Sequence, residues 1–186
     1  QSSDMHWMYA AEACFLLAEA KLRFDIGDLS VKEYYEAGIS ASFASAGVSG
    51  ADAYAANGTN LPLAAYTDPS NNRSTDVSAM LSMLPVAWDE AAPADTKLER
   101  IMIQKWIALY PDGQEAWSEM RRTGYPGWVR INSYAYQSEV ADSEMISRLK
   151  FPSTEYANNS ENTQAAVALL GSKDSAGSRL WWDVKR

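Results

Sequence analysis

Cysteine and histidine are almost missing from this chain of 186 residues, which holds one of each, Cys14 and His6. A single thiol cannot close an internal disulfide, and two such ligands cannot build a His/Cys zinc site. Nucleophilic catalysis of the Ser-His-Asp or Cys-His kind needs a base beside the nucleophile, and the one imidazole lies on the opening segment with no Gly-x-Ser-x-Gly turn elsewhere. Long apolar runs are absent too. Stretches such as Phe15-Leu16-Leu17-Ala18 fall far short of the roughly 18 residues that a bilayer span requires. Glycine (10) and proline (7) are too few for a collagen-like or low-complexity chain. Basic residues are scarce in one half only: residues 1–95 hold 4 against 13 acidic, residues 96–186 hold 12 against 11. No stretch has the positive excess that a nucleic-acid backbone demands. No Gly-rich phosphate loop occurs, and no cofactor is expected.

What remains is an ordinary globular composition, 47% hydrophobic and 22% charged, with enough length for one domain spanning residues 1–186. Apolar residues recur at intervals of three and four. Trp7, Ala11, Cys14, Ala18 and Leu22 fall on one stripe and predict a helix over 5–25, ended by Gly27, with Cys14 as a small buried hydrophobe. Ser30 and Glu33 form a capping-box pattern that opens a second helix over 31–46, stopped by Gly47. A short turn between the two predicts antiparallel packing, and Ala10, Ala11, Ala18, Gly38 and Ala41 allow close approach. Residues 47–75 read as loop with a short helix near 52–56. Its oxygen-rich end, Asp68 to Asp76, lacks the spacing of an EF-hand loop. Weak helix is predicted over 75–84 and strong helix over 95–110, whose apolar face is Leu98, Ile101, Met102, Trp106 and Leu109, with the Lys105 stem at its edge. A turn at Pro111-Asp112-Gly113 leads to another helix over 114–123, and a last helix is predicted over 162–170. No alternating strand pattern appears, so the fold class is mainly α: tetratricopeptide-type helical hairpins, long irregular loops, and no sheet beyond a short ribbon.

Rings and carboxylates are the candidate functional groups. Seven Trp and 10 Tyr stand against 4 Phe. Such amphipathic rings suit stacking on sugars as well as core rims. Rings at helical spacing, Trp7, Trp106 and Trp117, are expected in the core, with Trp106 and Trp117 packed together. Tyr125, Trp128, Tyr134 and Tyr136, in a Gly/Pro-rich stretch, are the candidate ligand-binding rings. Glu115 and Glu119 lie one helical turn apart, a spacing that raises glycoside hydrolysis as a reading. Arg121 and Arg122 follow at once, however, and predict structural ion pairing, with Glu119 and Glu155 as candidate partners.

The segments Lys97–Tyr110 (KLERIMIQKWIALY) and Gly113–Pro126 (GQEAWSEMRRTGYP) closely resemble the C-terminal half of the SusD/RagB family, outer-membrane nutrient-binding lipoproteins of Bacteroidetes. Arg148–Pro152 (RLKFP) with Glu155 and Asn159, the ending Arg179–Asp183 (RLWWD), and the opening helix with Ala10-Ala11-Glu12 and Ala18-Glu19-Ala20 agree in the same order. The resemblance implies the C-terminal portion of such a protein, without its N-terminal part and lipid anchor, the only means of membrane association expected. It implies a non-enzymatic binder on the extracellular face of the outer membrane that captures a glycan or oligosaccharide and delivers it to a partner SusC-like TonB-dependent transporter. It further implies architectural roles for Trp106, Glu115, Trp117, Arg121 and Arg122, which would hold the last helical hairpin, and for Pro152 and Glu155, which would fix the loop after it. The alternative from another class is a helical-repeat adaptor that binds proteins through its groove.

Overall fold

The structure, a computed structural model, describes residues 7–59, 65–67, 74–76, 84–127, 146–171 and 173–183. Within these, the order is α1 (Ala10–Phe24), α2 (Val31–Ala46), α3 (Ala51–Ala55), β1 (Ala65–Thr67), β2 (Ser74–Asp76), α4 (Ala94–Ala108), α5 (Gly113–Thr123), α6 (Ser153–Asn158) and α7 (Ser160–Leu169). The protein is mainly α-helical, and its chain divides into two compact units, residues 1–128 and 129–186. None of the described helices is long and apolar enough to cross a membrane.

The first unit is built on the α1–α2 hairpin, with α4 packed against both helices. Ser30 caps α2 as its spacing predicts: its hydroxyl accepts from the Glu33 N–H, and the Glu33 carboxylate accepts from the Ser30 N–H. Gly47 ends α2 in the left-handed conformation, φ 67°. The end of α1 differs from expectation. Asp25, not Gly27, takes the left-handed position (φ 56°), its carboxylate 2.6 Å from Lys21 one turn back. Gly27 lies in the turn beyond (φ 108°), under the Tyr34 ring, whose hydroxyl accepts from the Asp28 N–H.

Along α1 the buried side chains are Ala11, Phe15, Ala18 and Glu19, with Leu22 partly buried against the same core. Trp7 is not among them. The helix begins at Ala10, three residues after Trp7, so the ring falls outside the periodic stripe and is 90% exposed. Phe15 takes the central place on that stripe. Cys14, one residue to its side, is half-buried rather than buried, and desolvation pushes its thiol pKa up, away from reactivity. Phe15 meets Tyr35 edge-on at 6.2 Å between ring centroids, and Tyr35 meets Trp88 at 5.2 Å. The buried Tyr35 hydroxyl donates to the Val86 carbonyl at 2.7 Å. Ile39, Leu98, Ile101 and Met102 complete this core.

The β1 and β2 strands pair antiparallel, Tyr66 opposite Thr75, as the short ribbon. That ribbon corrects the weak helix predicted from Thr75: Thr75 and Asp76 are strand, where a partner supplies the hydrogen bonds a helix would have made internally, and residues 77–83 lie outside the described ones. In the second unit α6 precedes the predicted last helix. Asp174 organises the described part of this unit: it pairs with Arg148 and accepts from the Phe151 N–H at 3.1 Å and the Tyr156 hydroxyl at 2.8 Å. Partial burial would raise the Asp174 pKa, but these donors hold it below the usual carboxylate range.

Candidate functional site

The residues singled out in the sequence separate into a buried charged network, which the structure describes in detail, and a ring segment of which only the first member is described. The network begins with Lys105 on α4. Its neighbours on the helix, Ile101, Met102 and Leu109, are buried, and Lys105 goes inward with them to 1% exposure instead of lying at the edge of the apolar face. Its Nζ stands 3.3 Å from Glu119 Oε2 on α5 and 4.0 Å from Glu12 Oε1 on α1, ion-pair contacts without hydrogen-bond geometry.

Glu119 is shared with Arg122, three residues on, whose Nε and Nη2 donate to its two oxygens at 3.1 and 2.7 Å. The same guanidinium reaches α1, where Nη1 and Nη2 donate to both oxygens of Glu19 at 2.8 and 2.5 Å. Glu19 is 5% exposed and is met from the other side by Arg23 at 2.9 Å. Planar, bidentate pairing of this kind is what guanidinium does better than ammonium. Arg122–Glu119 is the pairing the sequence predicts. The Glu19 partnership is not legible there: 103 positions separate the two residues, and the local signal around Glu19, Arg23 four residues on, explains its charge without a distant partner.

The electrostatics follow from this arrangement. Burial would raise the Glu119 pKa, but hydrogen bonds from Arg122 and the charges of Lys105 and Arg122 outweigh it and hold the carboxyl ionised, below its ordinary range. Arg122 is raised in turn, chiefly by its hydrogen bonds to Glu19, against the opposing cost of burial. Glu12 goes the other way: desolvation raises it, Lys105 opposes, and the negative charges of Glu115, Glu119 and Asp112 add to the rise. A glycosidase pair made of Glu115 and Glu119 would need both carboxyls free to face a substrate, and both Glu119 oxygens are taken by the Arg122 guanidinium.

Trp117 corrects the expectation of a buried ring in the core. On α5 the inward residues are Ala116 and Met120, one turn apart; Trp117 sits about 100° round the helix from Ala116 and stays 38% exposed. Its face is covered by Arg121, one turn on, with the guanidinium 4.6 Å from the ring centroid. Trp106 is half-buried on α4. Glu115 is in the first turn of α5, where its N–H donates to the Asp112 cap at 3.0 Å. In the second unit Pro152 stands at the N-cap of α6, and the Glu155 carboxylate accepts from Asn159 at 3.2 Å.

Of the candidate ligand-binding rings, Tyr125 is half-buried against the core of the first unit, and burial raises its phenol pKa. Its N–H donates to Thr123 Oγ1 at 3.1 Å, and the same hydroxyl donates to the Glu119 carbonyl at 2.7 Å, tying Tyr125 to the end of α5. Trp128, Tyr134 and Tyr136 lie outside the described residues. A further exposed ring pair, Trp181 and Trp182, stands at 91% and 57% exposure in the second unit. Among the described residues no group of three or more His, Cys, Asp and Glu is arranged to hold a metal ion.

Paired helices of tetratricopeptide character, tied together by a Lys-Glu-Arg network, define a mainly α-helical scaffold. Residues 1–183 match the family described as Susd and RagB outer membrane lipoprotein, and the chain belongs to this SusD-like family. It is 42% identical to a chitin-binding SusD homolog from Flavobacterium johnsoniae, with a TM-score of 0.78 over 98% of this chain and 37% of that one. A SusD homolog from Bacteroides uniformis is 38% identical, TM-score 0.80, over 99% of this chain and 38% of its own. Another from Bacteroides thetaiotaomicron is 36% identical, TM-score 0.78, over the whole of this chain and 40% of its own. The chain thus spans about two fifths of the length of these relatives. A comparison with curated proteins finds no match.

Proposed function

We propose that residues 1–186 form one portion of a non-enzymatic, cell-surface nutrient-binding protein that holds a glycan and delivers it to a SusC-like TonB-dependent transporter. The observation that carries this reading is family membership over residues 1–183, together with 42% identity to a homologue described as chitin-binding. The outer membrane, by its extracellular face, is the location that goes with it, through a lipid anchor borne by the full-length protein.

Tyr125, Trp128, Tyr134 and Tyr136 are the proposed stacking rings. Each sugar-ring stack contributes about 1 kcal/mol and involves no titrating group, so binding is weak and nearly independent of pH between about 5 and 8. The test is calorimetry or affinity electrophoresis against a panel of soluble polysaccharides and N-acetylated chitin oligosaccharides, repeated with Trp128→Ala and Tyr134→Ala. Weaker retention of one polymer by both variants is the expected result. Unchanged binding in both would remove this segment as the site. Release of reducing sugar, abolished by Glu115→Gln, would overturn the non-enzymatic reading, and capture of peptides without any glycan would favour the helical adaptor.

A further inference from the structure

The α1, α2 and α4 helices are held together by fully buried apolar side chains, Phe15, Tyr35, Ile39, Ile101 and Met102 among them. The α5 helix is held differently. Of its eleven residues only Ala116 and Met120 are buried, a small apolar area for a helix of that length. Its ties to α1 are charged ones, the bidentate Arg122–Glu19 pair and the Glu119–Lys105–Glu12 chain. The segments on either side of it are anchored by apolar burial, Leu109 before and Pro126 after, both nearly inaccessible to solvent.

We propose that α5 is a charge-latched strap: neutralising Glu19 and Glu119, the two carboxylates that grip Arg122, with Glu119 also facing Lys105, releases α5 locally, between its two apolar anchors, while α1, α2 and α4 stay folded. Neutralising Glu19, only 7% exposed at its side chain, removes the bidentate tie by which Arg122 joins α5 to α1. The charged groups that face it are Glu12, Glu19 and Arg23 from α1, Lys105 from α4, Asp112 from the turn, and Glu115, Glu119 and Arg122 from α5 itself.

The direction with pH follows from the two shifted carboxyls. Glu119 is held below its ordinary value of 4.5, so its contribution is complete above that value and is lost as pH falls through the lowered one. Glu12 is raised, so taking up its proton as pH falls favours the folded state and does not open the latch. Release therefore belongs to strongly acid conditions, below the ordinary glutamate range, and not to the interval between neutrality and about pH 5.

Hydrogen exchange of the full chain, followed by mass spectrometry from about pH 7 down to about pH 2 and corrected for intrinsic rates, tests this. Protection of amides 113–123 is expected to fall about tenfold or more relative to amides 11–22 and 98–108. Glu19→Gln at neutral pH is expected to reproduce the selective loss. If that variant fails to fold, the acid titration of the unaltered chain decides alone. Loss of protection in all three helices together, or α5 amides that keep their protection in acid, would overturn the proposal.

Discussion

Gly38→Ala tests the closest contact in the fold. Gly38 lies in the middle of α2, where alanine would ordinarily stabilise a helix by about 0.8–1 kcal/mol. A methyl group at that position, however, would stand 2.6, 2.7 and 2.9 Å from three carbons of the Phe15 ring. Carbon atoms settle at about 3.5–4.0 Å, so the ring or the helix must retreat by roughly 1 Å. Phe15 has nowhere to go: it is wholly buried and held edge-on against Tyr35. Overpacking of this kind costs about 1–3 kcal/mol, which set against the propensity gain leaves a net destabilisation of up to about 2 kcal/mol. Urea unfolding followed by circular dichroism, with an unchanged m-value, measures it. The decisive comparison is the double variant. In a Phe15→Leu background the smaller side chain leaves room, and Gly38→Ala should become neutral or stabilising, a coupling of at least about 1 kcal/mol. Equal destabilisation in both backgrounds, or stabilisation by Gly38→Ala alone, would refute the claim that Gly38 sets the α1–α2 distance.

Two further expectations concern the α4–α5 hairpin. Trp117→Ala should cost only about 1 kcal/mol in denaturant titration, because the ring is exposed at its edge and loses chiefly its Arg121 stack; a loss near the 3–5 kcal/mol of a core aromatic would show that it is buried after all. Arg122→Ala should destabilise by about 1.5–3 kcal/mol, since it removes the bidentate partner of the buried Glu19 and leaves Glu19 with Arg23 and Glu119 with Lys105, and adding Glu19→Gln should recover part of that loss; a double variant no better than the single one would show that the pair is not energetically coupled.

The local features were legible in the sequence because local chemistry sets them. Ser30 and Glu33 cap α2 through atoms three residues apart, Gly47 supplies a backbone conformation that other residues avoid, and Arg122 finds Glu119 within one helical turn. The motifs around Lys105, Trp117 and Arg122 identified the family for the same reason, being contiguous runs. Tertiary packing decided the rest. Helical periodicity gives the direction of a side chain but not what stands opposite it. The stripe that included Trp7 and Cys14 became one centred on Phe15 once α1 began at Ala10 and Gly38 opened a space for the ring. Trp117 followed Ala116 and Met120 only so far as the α5 register allowed, and was left at the rim. Lys105 could be read as a stem covering an edge, but it is buried whole because Glu12 and Glu119, distant in the chain, converge on its ammonium. Desolvating a charge is tolerable only where opposite charges are already held in place, and in this protein α1 and α5 hold them.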